Sequence, residues 1–73
     1  LAKGNTDEAL KCYTQALAID PHFPSSVYGA GNCYEAKGMK AEALESFRQY
    51  LAENQKGPYA DKAKERIEEL EQQ

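Results

Sequence analysis

Hydrophobic positions recur with helical period in four blocks of this chain, separated by glycine, proline and polar breaks. In residues 6–19 they are Ala9, Leu10, Tyr13, Ala16 and Leu17, a spacing that draws one face of a helix. Asn5 or Thr6 stands where a cap is needed, and Asp7 and Glu8 suit the dipole of the first turn. Asp20-Pro21 stops the helix, because the residue before proline disfavours helical backbone. A second helix is predicted over 25–37, opened by Ser25 or Ser26, with Val27, Ala30, Gly31 and Tyr34 on its apolar side and Lys37-Gly38 at its end. A third runs over 40–54 and buries Ala43, Leu44, Phe47 and Leu51, with Tyr50 beside them. A fourth, over 59–71, carries the narrow stripe Ala60, Ala63, Ile67 and Leu70 among mostly charged positions. Leu1-Ala2-Lys3 before Gly4-Asn5 reads as the end of an earlier helix closed by glycine. The expectation is a chain that begins part-way through a larger protein.

Gly29 and Gly31 interrupt the second helix. Each costs about 1 kcal/mol relative to alanine in a helix interior. A helix that keeps two such residues is expected to let another backbone come close, and the helices on either side are the candidates.

The chain also matches itself when shifted by 34 positions. Gly4 meets Gly38, Glu8 meets Glu42, and Ala9-Leu10 meets Ala43-Leu44. Tyr13 meets Phe47, Gln15 meets Gln49, and Leu17-Ala18 meets Leu51-Ala52. Together these positions trace the buried side of two equivalent helices. The period and residue types resemble the tetratricopeptide repeat family, whose repeats are antiparallel helix pairs, A then B. Val27, Ala30-Gly31, Tyr34, Ala43 and Phe47 match the motif in one repeat, and Gly4, Ala9, Tyr13, Ala16 and Pro21 match the B half of another. The resemblance covers essentially the whole chain. It implies an all-α fold of antiparallel helix-pair repeats, an α-solenoid of about four helices. The expected division is 1–22 as helix B of a first repeat without its A helix, 23–57 as a complete repeat, and 58–73 as a C-terminal capping helix.

Three departures from the motif stand out. Tyr50 occupies a place that the family gives to alanine, Gln55 stands where proline is usual, and Val27 replaces a large aromatic residue. The last helix fits an A helix best with a shift of 33, which pairs Val27 with Ala60, Ala30 with Ala63 and Tyr34 with Ile67, and sets Lys64 at the glycine position. The closing Gly57-Pro58-Tyr59-Ala60 turn and helix resemble the ends of bacterial tetratricopeptide proteins.

Composition narrows the function further. At 73 residues the chain is one domain at most, near the lower limit for a self-sufficient core. Hydrophobic residues are 41% and charged residues 29%, which suits a folded chain rather than a disordered one. A net charge of -3 gives no basic footprint for nucleic acid. No apolar run reaches the roughly 18 residues of a membrane span. Cys12 and Cys33 lack metal-ligand spacing, and His22 adds one distant candidate, so no metal or cofactor is expected. Both read as ordinary thiols, and bonding them would need their Cβ atoms within about 4.5 Å. Their usage leans to the cytosol. No nucleophile, metalloprotease, P-loop or dinucleotide pattern is present, His22 is a turn residue, and Glu68-Glu69 is a solvated face. The expectation is therefore a noncatalytic module that binds a protein or peptide partner.

In the family the A helices line a concave groove that holds an extended peptide or a partner helix. On the second predicted helix the face about 120° from the apolar side carries Ser25, Tyr28, Asn32 and Glu35. Carried to the last helix by the shift of 33, the same face holds Asp61, Glu65 and Glu68, which predicts an acidic groove suited to a neutral or basic ligand. A register one residue away would present Lys62, Arg66 and Glu69 instead. Tyr28 reads either as a contact residue or as a cover over a neighbouring helix. The subfamily that clamps chaperone C-terminal carboxylates is a poor match, since the central asparagine of its clamp aligns with Gly29. The alternative is a structural role, in which a self-partner covers Leu10, Tyr13 and Leu17 of the first helix and forms a homo-oligomer.

Overall fold

The computed structural model describes residues 3–72, with side chains from Asn5 onward. Four helices follow one another: α1 (Lys3–Ile19), α2 (Pro24–Ala36), α3 (Lys40–Glu53) and α4 (Ala60–Glu71). The described residues include no strand. Each helix packs on the next, α1 on α2, α2 on α3 and α3 on α4. This is the expected all-α arrangement of helix pairs.

Two helix starts differ from expectation. α1 runs unbroken through Gly4 and Asn5, so neither residue ends or caps a helix. A single glycine costs only about 1 kcal/mol in a helix, and continued backbone hydrogen bonding outweighs it. Leu1 and Ala2 lie outside the described residues. α2 opens one residue before Ser25, at Pro24, with Phe23 as its cap residue. Proline needs no N–H partner at the first helical position, and its fixed φ already suits the helix. The Phe23 carbonyl accepts from the N–H groups of Ser26 and Val27 at 3.1 and 3.0 Å, and Ser26 is buried.

The end of α2 follows the sequence reading. Gly38 has φ +77°, its N–H donates to the Glu35 carbonyl at 3.0 Å, and the Met39 N–H donates to the Tyr34 carbonyl at 2.8 Å. This paired closure requires left-handed backbone, which glycine adopts without strain. The α1–α2 turn is fastened at a distance. His22 Nδ1 lies 2.6 Å from Glu53 Oε2, and Gln49 Nε2 donates to the Pro21 carbonyl at 3.0 Å.

The two glycines of α2 admit rings rather than backbone. A Cβ on Gly29 would collide with the tip of the Tyr13 ring, from α1. A Cβ on Gly31 would lie 2.8 Å from the Phe47 ring, from α3. Residues two apart on a helix differ by about 200°, so α1 and α3 press on opposite sides of α2. The core continues through Val27, Ala43, Phe47, Tyr50, Ala60, Ala63 and Leu70.

Tyr50 is fully buried at 0% exposure. Its hydroxyl oxygen accepts the Tyr59 backbone N–H at 3.1 Å and lies 2.5 Å from where a Cβ on Gly57 would sit. The large residue in a small residue's place thus reaches across to hold the turn that leads into α4.

Gly31→Ala is expected to cost about 1–3 kcal/mol through overpacking, because Phe47 is fully enclosed and cannot withdraw. Gly29→Ala should cost less, because Tyr13 is only half-buried and its ring can swing outward. Urea denaturation checks the order, and a stabilised Gly31→Ala protein would contradict it. Tyr50→Phe should lose about 1 kcal/mol with the hydroxyl. Tyr50→Ala, although it restores the motif residue, should lose about 3–5 kcal/mol by opening a cavity.

Candidate partner-binding surface

Helical period places Tyr28 on the side of α2 that looks toward α3 and the start of α4. Its ring stacks on Tyr59, with centroids 4.6 Å apart and planes within 5°. It also meets Phe47 and Tyr50 in tilted contacts, each at 5.7 Å. Offset and tilted ring pairs suit the aromatic quadrupole and add to area burial. Of the two sequence readings, the cover over a neighbouring helix is the one that these contacts describe. Tyr59, 36% exposed, forms the outer surface of the cluster.

Glu35 is also engaged within the fold. Arg66 of α4 donates from Nε to Glu35 Oε1 at 2.9 Å, and its Nη2 pairs with Glu35 Oε2. The same guanidinium contacts Glu69 Oε1 at 2.5 Å. A planar guanidinium suits this two-point grip on a carboxylate. Arg66 and Glu69 belong to the alternative register of the last helix, so that register is the one that meets Glu35. A sequence signal for this existed in the Arg66–Glu69 spacing of three, but nothing local pointed to Glu35.

The remaining predicted residues are exposed. Ser25 lies in the first turn of α2. Asn32 borders a shallow cleft between α1 and α2 with Thr6, Ala9, Cys33 and Ala36. Asp61 borders a different groove, between α3 and α4, with Lys64. Glu65 and Glu68 are open to solvent. Among the described residues these five side chains have no hydrogen bond or ion pair. Other acids do have partners: Asp7 with Lys37, Glu53 with His22 and Glu71 with Arg48. The seven residues therefore fall into two groups, with Tyr28 and Glu35 tied into packing and Ser25, Asn32, Asp61, Glu65 and Glu68 available.

Cys12 is exposed and Cys33 buried, and both are free thiols. Burial pushes the Cys33 thiol above its ordinary pKa, and the nearby Lys37 ammonium partly offsets this. Among the described residues no cluster of three or more histidine, cysteine or carboxylate side chains could hold a metal. At pH 8 a thiol reagent is expected to modify Cys12 promptly and Cys33 only after denaturation. Two fast equivalents in the folded state would refute this.

A tetratricopeptide repeat family model matches residues 1–67. No curated protein and no solved structure matches the chain. Domains of this kind generally mediate protein–protein interaction and are typically noncatalytic. With its 34-residue period expressed as the equivalent rings Tyr13 and Phe47 seated on one helix, the chain belongs to the tetratricopeptide repeat family.

Proposed function

We propose that the chain is a noncatalytic protein-interaction module that holds an extended peptide or partner helix along the exposed polar positions of α2 and α4. The observation that carries this reading is the set Ser25, Asn32, Glu65 and Glu68, which is exposed and has no internal partner among the described residues. Asn32 and Glu65 are repeat equivalents under the shift of 33, so successive A-type helices offer groups at matching positions. A carboxamide donates and accepts, which suits a peptide backbone. Unpaired carboxylates favour a partner with Lys or Arg side chains and speed its encounter. Tyr28 and Glu35 act one step back in this reading. They join α2 to α4 and so set the spacing between the polar groups. In the expected division, α2 and α3 make up the complete helix-pair repeat over 23–57.

Panning a library of unstructured peptides against the full chain tests the proposal. Enriched sequences should be basic. Glu65→Lys/Glu68→Lys should reduce their binding at least tenfold, an effect on the order of 1.4 kcal/mol, with unchanged circular dichroism. Asn32→Ala should reduce it a few-fold. Enrichment of acidic peptides, or equal binding by the folded variants, would reject this surface as the site.

A further inference from the structure

The groove between α3 and α4 has the outline of a helix seat, and repeat equivalence shows which helix such a seat normally takes. The shift of 34 carries Leu17 to Leu51, and the shift of 33 carries Val27, Tyr28, Gly31 and Tyr34 to Ala60, Asp61, Lys64 and Ile67. The first set is where α3 docks on α1 and α2. Phe47 lies against Gly31 and 5.7 Å from Tyr28, and Leu17 and Tyr34 pack on the same core. The second set borders an open groove of about 580 Å³.

The apolar rim of the seat is retained in Leu51, Ala52, Ala60 and Ile67. Its two central positions are not. Asp61 stands in Tyr28's place and Lys64 in Gly31's. A ring in Phe47's position needs the glycine notch and would meet a lysine chain instead. Covering both charges with an apolar helix would leave them desolvated and unpaired, which is strongly unfavourable. The occupant must cover the rim while bringing an ammonium to Asp61 and a carboxylate to Lys64.

The chain presents such a face in this same groove. Asp61 and Lys64 are three residues apart on α4, neighbours on one side of the helix, and neither has an internal partner among the described residues. Two-fold pairing across the groove can run one α4 antiparallel to the other, so that acid-then-base meets base-then-acid. We propose that the α3/α4 groove is an isologous interface between two copies of this chain, with Asp61 of each copy meeting Lys64 of the other. A standard interface takes about 800 Å² per partner, roughly a sixth of the 4936 Å² surface of the chain. One groove between two short helices covers less, so the dimer is weak and salt weakens it further. The proposal shares α4 with the peptide-binding reading, since Asp61 and Lys64 lie on the same side of that helix as Glu65 and Glu68, but its test reads self-association and not peptide binding.

Sedimentation of the full chain tests it over a range from about 10 µM to about 1 mM at low salt. The weight-average mass should climb from 8.1 kDa toward twice that value. Asp61→Lys and Lys64→Asp should each weaken association about tenfold, and Asp61→Lys/Lys64→Asp should recover it. Ala52→Arg places bulk at an exposed groove position and should abolish the dimer with helicity unchanged. A mass of 8.1 kDa at every concentration overturns the proposal. So does association that survives Ala52→Arg, which would assign self-pairing to another surface such as the α1 face. Failure of the double reversal to recover what each single one loses overturns the charge pairing.

Discussion

Two absent methyl groups set the geometry of this molecule. Gly29 and Gly31 lie about 200° apart around α2, so the notches they leave open on opposite sides. One receives Tyr13 and the other Phe47. These rings occupy equivalent places in the 34-residue repeat, and one central helix receives both, each at its own glycine. Each side chain that glycine omits would hold a neighbouring helix outward. Close packing is unforgiving of such displacements, since an interior near crystal density has few voids to absorb them. The helix-propensity loss of about 1 kcal/mol per glycine is offset by the ring contacts that it permits.

A second level of order hangs on Tyr50. A motif residue of alanine size would leave the region between α2, α3 and the α3–α4 turn unfilled. The larger ring contacts Tyr28 and Tyr59, and its hydroxyl fixes the Tyr59 backbone. Gly57 leaves room for that hydroxyl. Tyr50, Gly57 and Tyr59 are therefore one adaptation spread over ten residues. It explains how α4, with only a narrow apolar stripe, is oriented: the stripe buries Ala60, Ala63 and Leu70, while the aromatic joint and the Arg66–Glu35 pair connect α4 to α2.

The fold was legible because its determinants are local and periodic. Apolar spacing located all four helices, and Lys37-Gly38 marked a C-terminus whose positive φ only glycine takes easily. Helix starts were less legible. Gly4-Asn5 carries the letters of a break, yet continued backbone hydrogen bonding overrides so weak a signal. The glycines were read correctly as close-approach points, but whether a backbone or a ring approaches depends on the partner helix and not on the glycine. The surface was the least legible part. Helical angle alone put Tyr28 and Glu35 with Ser25 and Asn32, and angle says nothing about what stands opposite. Tyr59 and Arg66 stand opposite, each 31 residues along the chain from its contact, and no local pattern links them.

Repeat equivalence separates architecture from surface chemistry more sharply than exposure does. Position by position, α2 and α4 share a template, but Tyr28 becomes Asp61, Gly31 becomes Lys64, Asn32 becomes Glu65 and Glu35 becomes Glu68. On α2 the first two positions are closed by α3, so packing selects an aromatic residue and a glycine. On α4 the corresponding positions border a groove that no described helix fills, and they carry charge in place of the ring and the missing side chain. Glu35 and Glu68 differ in the same way without a change in residue type. One is gripped by Arg66 and the other faces solvent, so identical chemistry serves cohesion on one helix and is open to recognition on the other.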